Sequence, residues 1–171
     1  SKSKSGKFSL EVVSHKSFAG GTGSTPAISY DANRVMISDS SNLIIAMDLD
    51  LNELWRMEMD QQIAASIAIS SDNNELYAVS KQHIYKLFDR GDHAELAWVA
   101  DLDMFPDTAF YYNYNNLTPT ITANGLAVAL AGGYKIGAAD LILPTRMGVG
   151  IVDRKTGKLR SFAEGTEESI A

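Results

Sequence analysis

The sequence predicts an all-β fold made of four-stranded antiparallel propeller blades, about three of them, in an incomplete β-propeller. Three observations lead there. A short motif recurs: Ser24-Thr-Pro-Ala-Ile-Ser-Tyr-Asp31 returns as Ala65-Ser-Ile-Ala-Ile-Ser-Ser-Asp72 and, shortened, as Leu117-Thr-Pro-Thr-Ile-Thr122. The first two copies lie about 40 residues apart, the period of propeller blades. Each copy also opens a series of short runs rich in Val, Ile, Thr and Tyr and bounded by turn residues, as strands require. No stretch sustains an apolar stripe at helical spacing over three turns.

The elements follow in order. Residues 1–23 read as the outer strand of a preceding blade, from Phe8 to Val13, or as a flexible lead-in, broken at Gly20-Gly-Thr-Gly23. Blade one spans residues 24–60, with strands at 25–29, 34–38, 43–48 and 53–57. Its turns are Asp31-Ala-Asn33, Asp39-Ser-Ser-Asn42 and Asp50-Leu-Asn52, where Asp and Asn tolerate turn geometry. Blade two, 65–102, repeats the plan with strands at 66–70, 75–79, 82–88 and 95–100. Blade three, 117–163, places strands at 118–122 and 126–131 around Asn124-Gly125, a strong hairpin signal. Its last strands, at 149–153 and 158–162, flank Lys155-Thr-Gly157.

At 45% hydrophobic, the 171 residues can bury a core. The net charge of −6, with no basic stripe, argues against nucleic acid as a partner. The absence of cysteine removes disulfides, thiolate nucleophiles and zinc–thiolate sites together. No apolar run is long enough for a membrane span. Closed propellers need about 4–8 blades, so the chain is expected to be an excerpt. Its partners would be the remaining blades or a second copy.

The second half of each repeat carries a resemblance. Ala46-Met-Asp48 followed by Asn52-Glu-Leu-Trp55, and Ile151-Val-Asp153-Arg-Lys-Thr156-Gly157-Lys158, resemble the repeat of the pyrroloquinoline-quinone-like (PQQ-like) β-propellers. Blade two is a looser copy, with Tyr85, Leu87, Asp89, Glu95 and Trp98. Trp55 arrives one residue early, Asn52 replaces a turn Gly, and Ser161 stands where blade three should carry Trp. The resemblance implies either a quinone-dependent dehydrogenase or a non-catalytic scaffold, and an extracytoplasmic (periplasmic or secreted) address. PQQ or calcium would belong to the complete propeller. The turn residues Asp48 and Asp153 are expected to accept backbone N–H groups.

In such a propeller the loops before a blade and between its second and third strands open on one face. Blade three expands both: Asp103 to Asn116, rich in aromatics, and Gly132 to Met147. Loops of this length point to function. Tyr111, Tyr112, Asn113, Tyr114, Asn115, Lys135, Asp140 and Arg146 are therefore the candidate ligand contacts, since aromatic faces suit planar groups and Arg and Lys suit carboxylates. The competing expectation is that Phe105, Phe110 and the tyrosines plug the gap between blades, with Leu141-Ile-Leu143 packing as well. Asp48-x-Asp50-x-Asn52 only imitates the start of a calcium loop, because Glu53 and Met59 stand where Gly and Glu are needed. His15, His83 and His93 have no metal spacing, and no Gly-x-Ser-x-Gly elbow occurs. No catalytic set emerges and no metal or cofactor is predicted. The expected function is a non-catalytic ligand- or protein-binding scaffold acting through the loop face of blade three. The alternative is part of a quinone-dependent dehydrogenase or a metal-dependent lactonase-type propeller.

Overall fold

The computed structural model describes residues 10–63, 65–71, 74–105, 111–113, 115, 117–136 and 141–165, with only the backbone at 111, 112, 135, 141 and 142. Three antiparallel sheets follow one another along the chain. Sheet one runs β1 (Ala27–Ile28), β2 (Val35–Ser38), β3 (Leu43–Met47), β4 (Glu53–Glu58), in that spatial order. Sheet two repeats it with β5 (Ala68–Ile69), β6 (Glu75–Val79), β7 (His83–Asp89) and β8 (Ala94–Asp101). Sheet three consists of β10 (Thr120–Ile121), β11 (Gly125–Ile136), β12 (Leu141–Asp153) and β13 (Leu159–Glu164), with β9 (Tyr111–Asn113) added against β11. No helix occurs among the described residues. The chain is an arc of β-propeller.

Stacking explains the sequence pattern. The strands of sheet two are apolar at odd and even positions alike, because each face of the sheet meets a neighbour. Leu76, Ala78, Tyr85 and Leu87 pack on Met36, Ile44, Ala46 and Trp55 of sheet one. Tyr77, Val79 and Ile84 face the other way, onto Leu126, Val128, Leu130 and Val152 of sheet three. Every residue of β6 is consequently buried. The recurring motif itself stitches the blades, since the Thr25 N–H donates to Ser66 Oγ at 2.8 Å, one repeat further on.

The two ends of the arc differ. On the outer face of sheet one, Ile37, Ile45 and Met47 are buried under Phe18 and Leu51. The lead-in segment lies along that sheet: Thr22 Oγ1 donates to the Ser38 carbonyl and the Ser40 N–H to the Gly21 carbonyl. Of the outer strand expected over Phe8 to Val13, Phe8 and Ser9 lie outside the described residues, and residues 10–13 carry no strand, with Leu10, Val12 and Val13 exposed. At the other end, the pairing places Ala127, Ala129, Met147, Val149 and Ile151 on the face of sheet three turned away from sheet two. Val149 is 51% exposed.

Parts of two expected loops are instead sheet. Residues 132–136 and 141–147, read as part of an expanded connection, prolong β11 and β12. β11 and β12 continue through a register shift at Gly132/Gly133, where a bulge lets the strand bend without ending. The aromatic segment before blade three contributes β9, with Tyr111 opposite Tyr134 and Asn113 opposite Gly132.

Candidate functional site

The blade-three extension, β9 with the outer halves of β11 and β12, collects most of the candidate residues. Tyr111, Tyr112 and Asn113 lie on β9, Lys135 on β11 and Arg146 on β12, with Asn115 just beyond β9. Tyr114, Asp140 and Phe110 lie outside the described residues. Three of the candidates are committed to holding the fold. Asn113 clamps Phe105, its Oδ1 accepting from the Phe105 N–H at 3.1 Å and its Nδ2 donating to the Phe105 carbonyl at 2.9 Å. Asn115 donates through Nδ2 to the Lys81 carbonyl at 2.7 Å and accepts from the Ala131 N–H at 3.0 Å. Both amides are buried, so each removes backbone groups from an otherwise costly unpaired state. Arg146 forms a bidentate pair with Glu164 and lies over the Phe105 ring, 4.7 Å from its centroid.

Phe105 is the plug between sheets two and three. It is buried and meets Phe162 edge-on, with centroids 5.8 Å apart. The expected packing of Leu143 does not occur, for that residue is 52% exposed. It pairs across the strands with Tyr134, and Ile136 stands two residues along on the same face. All three are exposed. The loop expected over Gly132 to Met147 hides this apolar face in the sequence. The alternation Tyr134-x-Ile136 opposite Leu143 was the available signal.

A second constellation lies between sheets two and three, and no motif announced it. Lys86, in the middle of β7, faces sheet three, where Ala46 and Ile151 hold the corresponding places in the other sheets. Its Nζ donates to Glu75 Oε1 at 2.7 Å and to the Arg154 carbonyl at 3.2 Å. Glu75 Oε2 accepts from Arg154 Nη2 at 2.7 Å and from the Tyr77 hydroxyl. Arg154 also reaches Ser70 Oγ and the Thr122 carbonyl. Burial pushes the Glu75 carboxyl upward. Hydrogen bonds from Lys86, Tyr77 and Arg154 together outweigh it and hold the group below its ordinary range. The Tyr77 hydroxyl is pushed up, by burial first and then by its bond to Glu75.

The tryptophans dock one blade on the next. Trp55 Nε1 donates to Asp89 Oδ1 at 3.0 Å, and Trp98 Nε1 to the Arg154 carbonyl at 3.2 Å. The cross-strand rows Met36–Ala46–Trp55, Tyr77–Lys86–Trp98 and Ala127–Ile151–Ser161 are equivalent. Trp55 thus keeps its place, and a shorter turn absorbs the missing residue. Asp48 Oδ1 accepts the N–H groups of Asp50 and Asn52, and Asp153 Oδ1 those of Lys155 and Thr156. Both carboxyls are held below the ordinary range by these turns, through the Asn52 side chain first at Asp48 and the Thr156 N–H first at Asp153. His83 stands between Asp60 and Asp101 at 3.4 and 3.3 Å. No three His, Asp or Glu side chains gather at metal-binding range among the described residues.

These sheets and their docking contacts define a propeller arc, and solved structures agree. The β-propeller domain of Cps50 (Swd1) from Myceliophteria thermophila aligns with a TM-score of 0.56 at 11% identity, over 85% of this chain and 44% of that one. The Dos1 propeller aligns with a TM-score of 0.54 at 14% identity, over 79% of this chain and 34% of that one. BamB from Moraxella catarrhalis is matched at 14% identity over 82% of this chain and 61% of that one, with a TM-score of 0.42 that adds nothing to the assignment. The chain therefore spans less than half of the first and second of these propellers. At such identities the likeness is one of fold alone. No family model and no curated protein matches the sequence.

Proposed function

We propose that the chain is part of a PQQ-like propeller that serves as a non-catalytic protein-binding scaffold, and that it binds through the blade-three extension. One observation carries the binding reading: Tyr134, Ile136 and Leu143 share an exposed apolar face on a hairpin prolonged beyond the blade. Apolar side chains gathered on a projecting element mark contact surfaces. The neighbouring polar residues Asn113, Asn115 and Arg146 brace that element. The PQQ-like reading is supported by the Asp turns and by the two tryptophans that dock successive blades. Further blades would cover the apolar outer face of sheet three around Val149, whether they come from the same gene product or from a second copy.

The test is a triple substitution, Tyr134→Ser with Ile136→Ser and Leu143→Ser, in the full-length gene product. Quantitative cross-linking in the source cells should lose its main protein partner at least about tenfold, with an unchanged melting temperature. Equal capture by both forms would overturn the assignment of the surface. Stoichiometric uptake of quinone or calcium would overturn the non-catalytic reading.

A further inference from the structure

The lead-in segment runs the length of β3, from the β3–β4 turn to the β2–β3 turn. At one end Ser14 Oγ donates to the Asp50 carbonyl at 2.8 Å, and at the other the Ser40 N–H donates to the Gly21 carbonyl at 3.0 Å. Between them Phe18 lies on Ile37, Ile45 and Met47, which are buried beneath it. The segment is fitted to that place. A Cβ on Gly20 would stand 2.3 Å from Ser41 Oγ and 2.7 Å from the Ser41 nitrogen, so only glycine lets the backbone come this close. The Gly21 N–H then closes a turn on the Phe18 carbonyl, and the Thr22 and Ser24 hydroxyls both donate to the Ser38 carbonyl. By cross-strand register, Ile37, Ile45 and Met47 correspond to Ala78, Tyr85 and Leu87 of sheet two. Those residues rest on sheet one, and Leu126, Val128 and Val152 of sheet three rest likewise on sheet two. On sheet one the same face meets Phe18 instead of a blade.

We propose that residues 14–24 are a terminal cap, held in the place of a preceding blade. The end of a repeat array bares an apolar face, and a cap with a polar outer side closes it. Phe18 supplies the apolar contact, while His15, Lys16 and Ser17 are exposed and supply the polar side. A blade docking on sheet one would have to expel Phe18 and break the bonds made by Ser14, Gly21 and Thr22. Further blades therefore add at the outer face of sheet three, where Val149 is exposed, and not at sheet one. The cap rests on the packing of sheet one and is independent of the apolar hairpin and of any reading built on it.

Thiol labelling of the full-length gene product tests the cap. The 171 residues hold no cysteine, so Ile45→Cys places one reporter thiol beneath Phe18. A maleimide should modify it at least about a hundredfold more slowly than in the urea-unfolded protein. Adding Phe18→Ser, or separately Gly20→Val, should speed labelling of the folded protein at least about tenfold. Protection that survives both substitutions would mean that a blade covers this face, and would overturn the proposal. Rapid labelling with Phe18 and Gly20 in place would overturn it as well. Amide exchange of the unsubstituted protein keeps the test valid should these variants unfold. The Ser40 N–H, whose acceptor Gly21 belongs to the cap itself, should exchange slowly, and free exchange there would sink the assignment.

Discussion

The two seams between the sheets are built on one plan and filled with opposite chemistry. At the first seam the middle-strand position is Ala46, set among apolar neighbours, and Arg34 pairs with Asp89. Asp89 is buried, Arg34 is a quarter exposed, and the same carboxylate also receives Trp55. At the second seam the equivalent position is Lys86, and the position of Arg34 is taken by Glu75. The charge order across the seam is reversed, and a third ion, Arg154, joins in. The repeat specifies where a side chain sits. It leaves open what that side chain does. A plain seam only holds blades together, whereas the charged one also forms the floor of a cleft.

The comparison breaks most sharply at the two carboxylates. Glu75→Gln removes the carboxylate that buried Lys86 and Arg154 share, and should cost about 3–5 kcal/mol. The matching change at the first seam, Asp89→Asn, retains an oxygen for Trp55 and leaves Arg34 partly solvated. It should cost about 1–2 kcal/mol. Urea unfolding of both variants checks the order, and equal losses would mean that the second seam is no more dependent on its charges than the first. The acid limb gives the sign independently. Because the folded value of Glu75 is depressed, its contribution is full above the ordinary value of 4.5 and is lost as pH falls through the lower folded value. Glu75→Gln should therefore flatten that part of the stability profile.

The docking glycines sharpen the same contrast at smaller magnitude. Gly157, at φ +71, would place a Cβ 3.0 Å from the Trp98 ring, whereas Gly91, at φ +98, would meet only the end of Arg34 at 3.4 Å. Both substitutions by Ala incur the left-handed penalty of about 1–2 kcal/mol. Gly157→Ala adds a clash with a rigid ring and should reach about 2–4 kcal/mol, while Arg34 can swing aside. Thermal melts of the pair separate the outcomes, with Gly157→Ala expected to fall further. A larger fall for Gly91→Ala would show that Trp98 yields more readily than its packing implies.

What the sequence made legible was whatever repeats locally. The Ser24 and Ala65 motifs, the Asp turns and Asn124-Gly125 act within a few residues, and strands formed around them. Gly132-Gly133 misled for a physical reason. Two glycines usually end a strand, but here β9 pairs with β11 alongside them and the ladder runs on through a bulge. The contacts of Arg146 were not legible, because Glu164 and Phe105, which meet it, lie 18 and 41 residues away in the chain. Glu75, Lys86 and Arg154 were invisible as a set, since each reads alone as a solvated charge in or beside a strand. The one clue was Lys86 inside the apolar run Ile84 to Phe88, where a charge on a strand buried from both faces demands a partner.

The smallest effect lies in the first turn of sheet one, where Ala32 holds φ 56. In the corresponding turn of sheet two, Asn74, one position further on, holds φ 50, a residue that tolerates this region through its short polar side chain. Alanine has no such compensation. The turn nevertheless forms, because the Ala32 N–H donates to the Ser29 carbonyl at 2.8 Å and Asp31 accepts from Ser29 and Asn33. Ala32→Gly should relieve the left-handed cost of about 1–2 kcal/mol and return part of it through the greater freedom of glycine in the unfolded chain. The expected net gain is about 0.5–1 kcal/mol, read as a small rise in the urea midpoint with no change in slope. A loss instead would show that the Cβ of Ala32 is needed in the turn, and that its hydrogen bonds alone do not hold it.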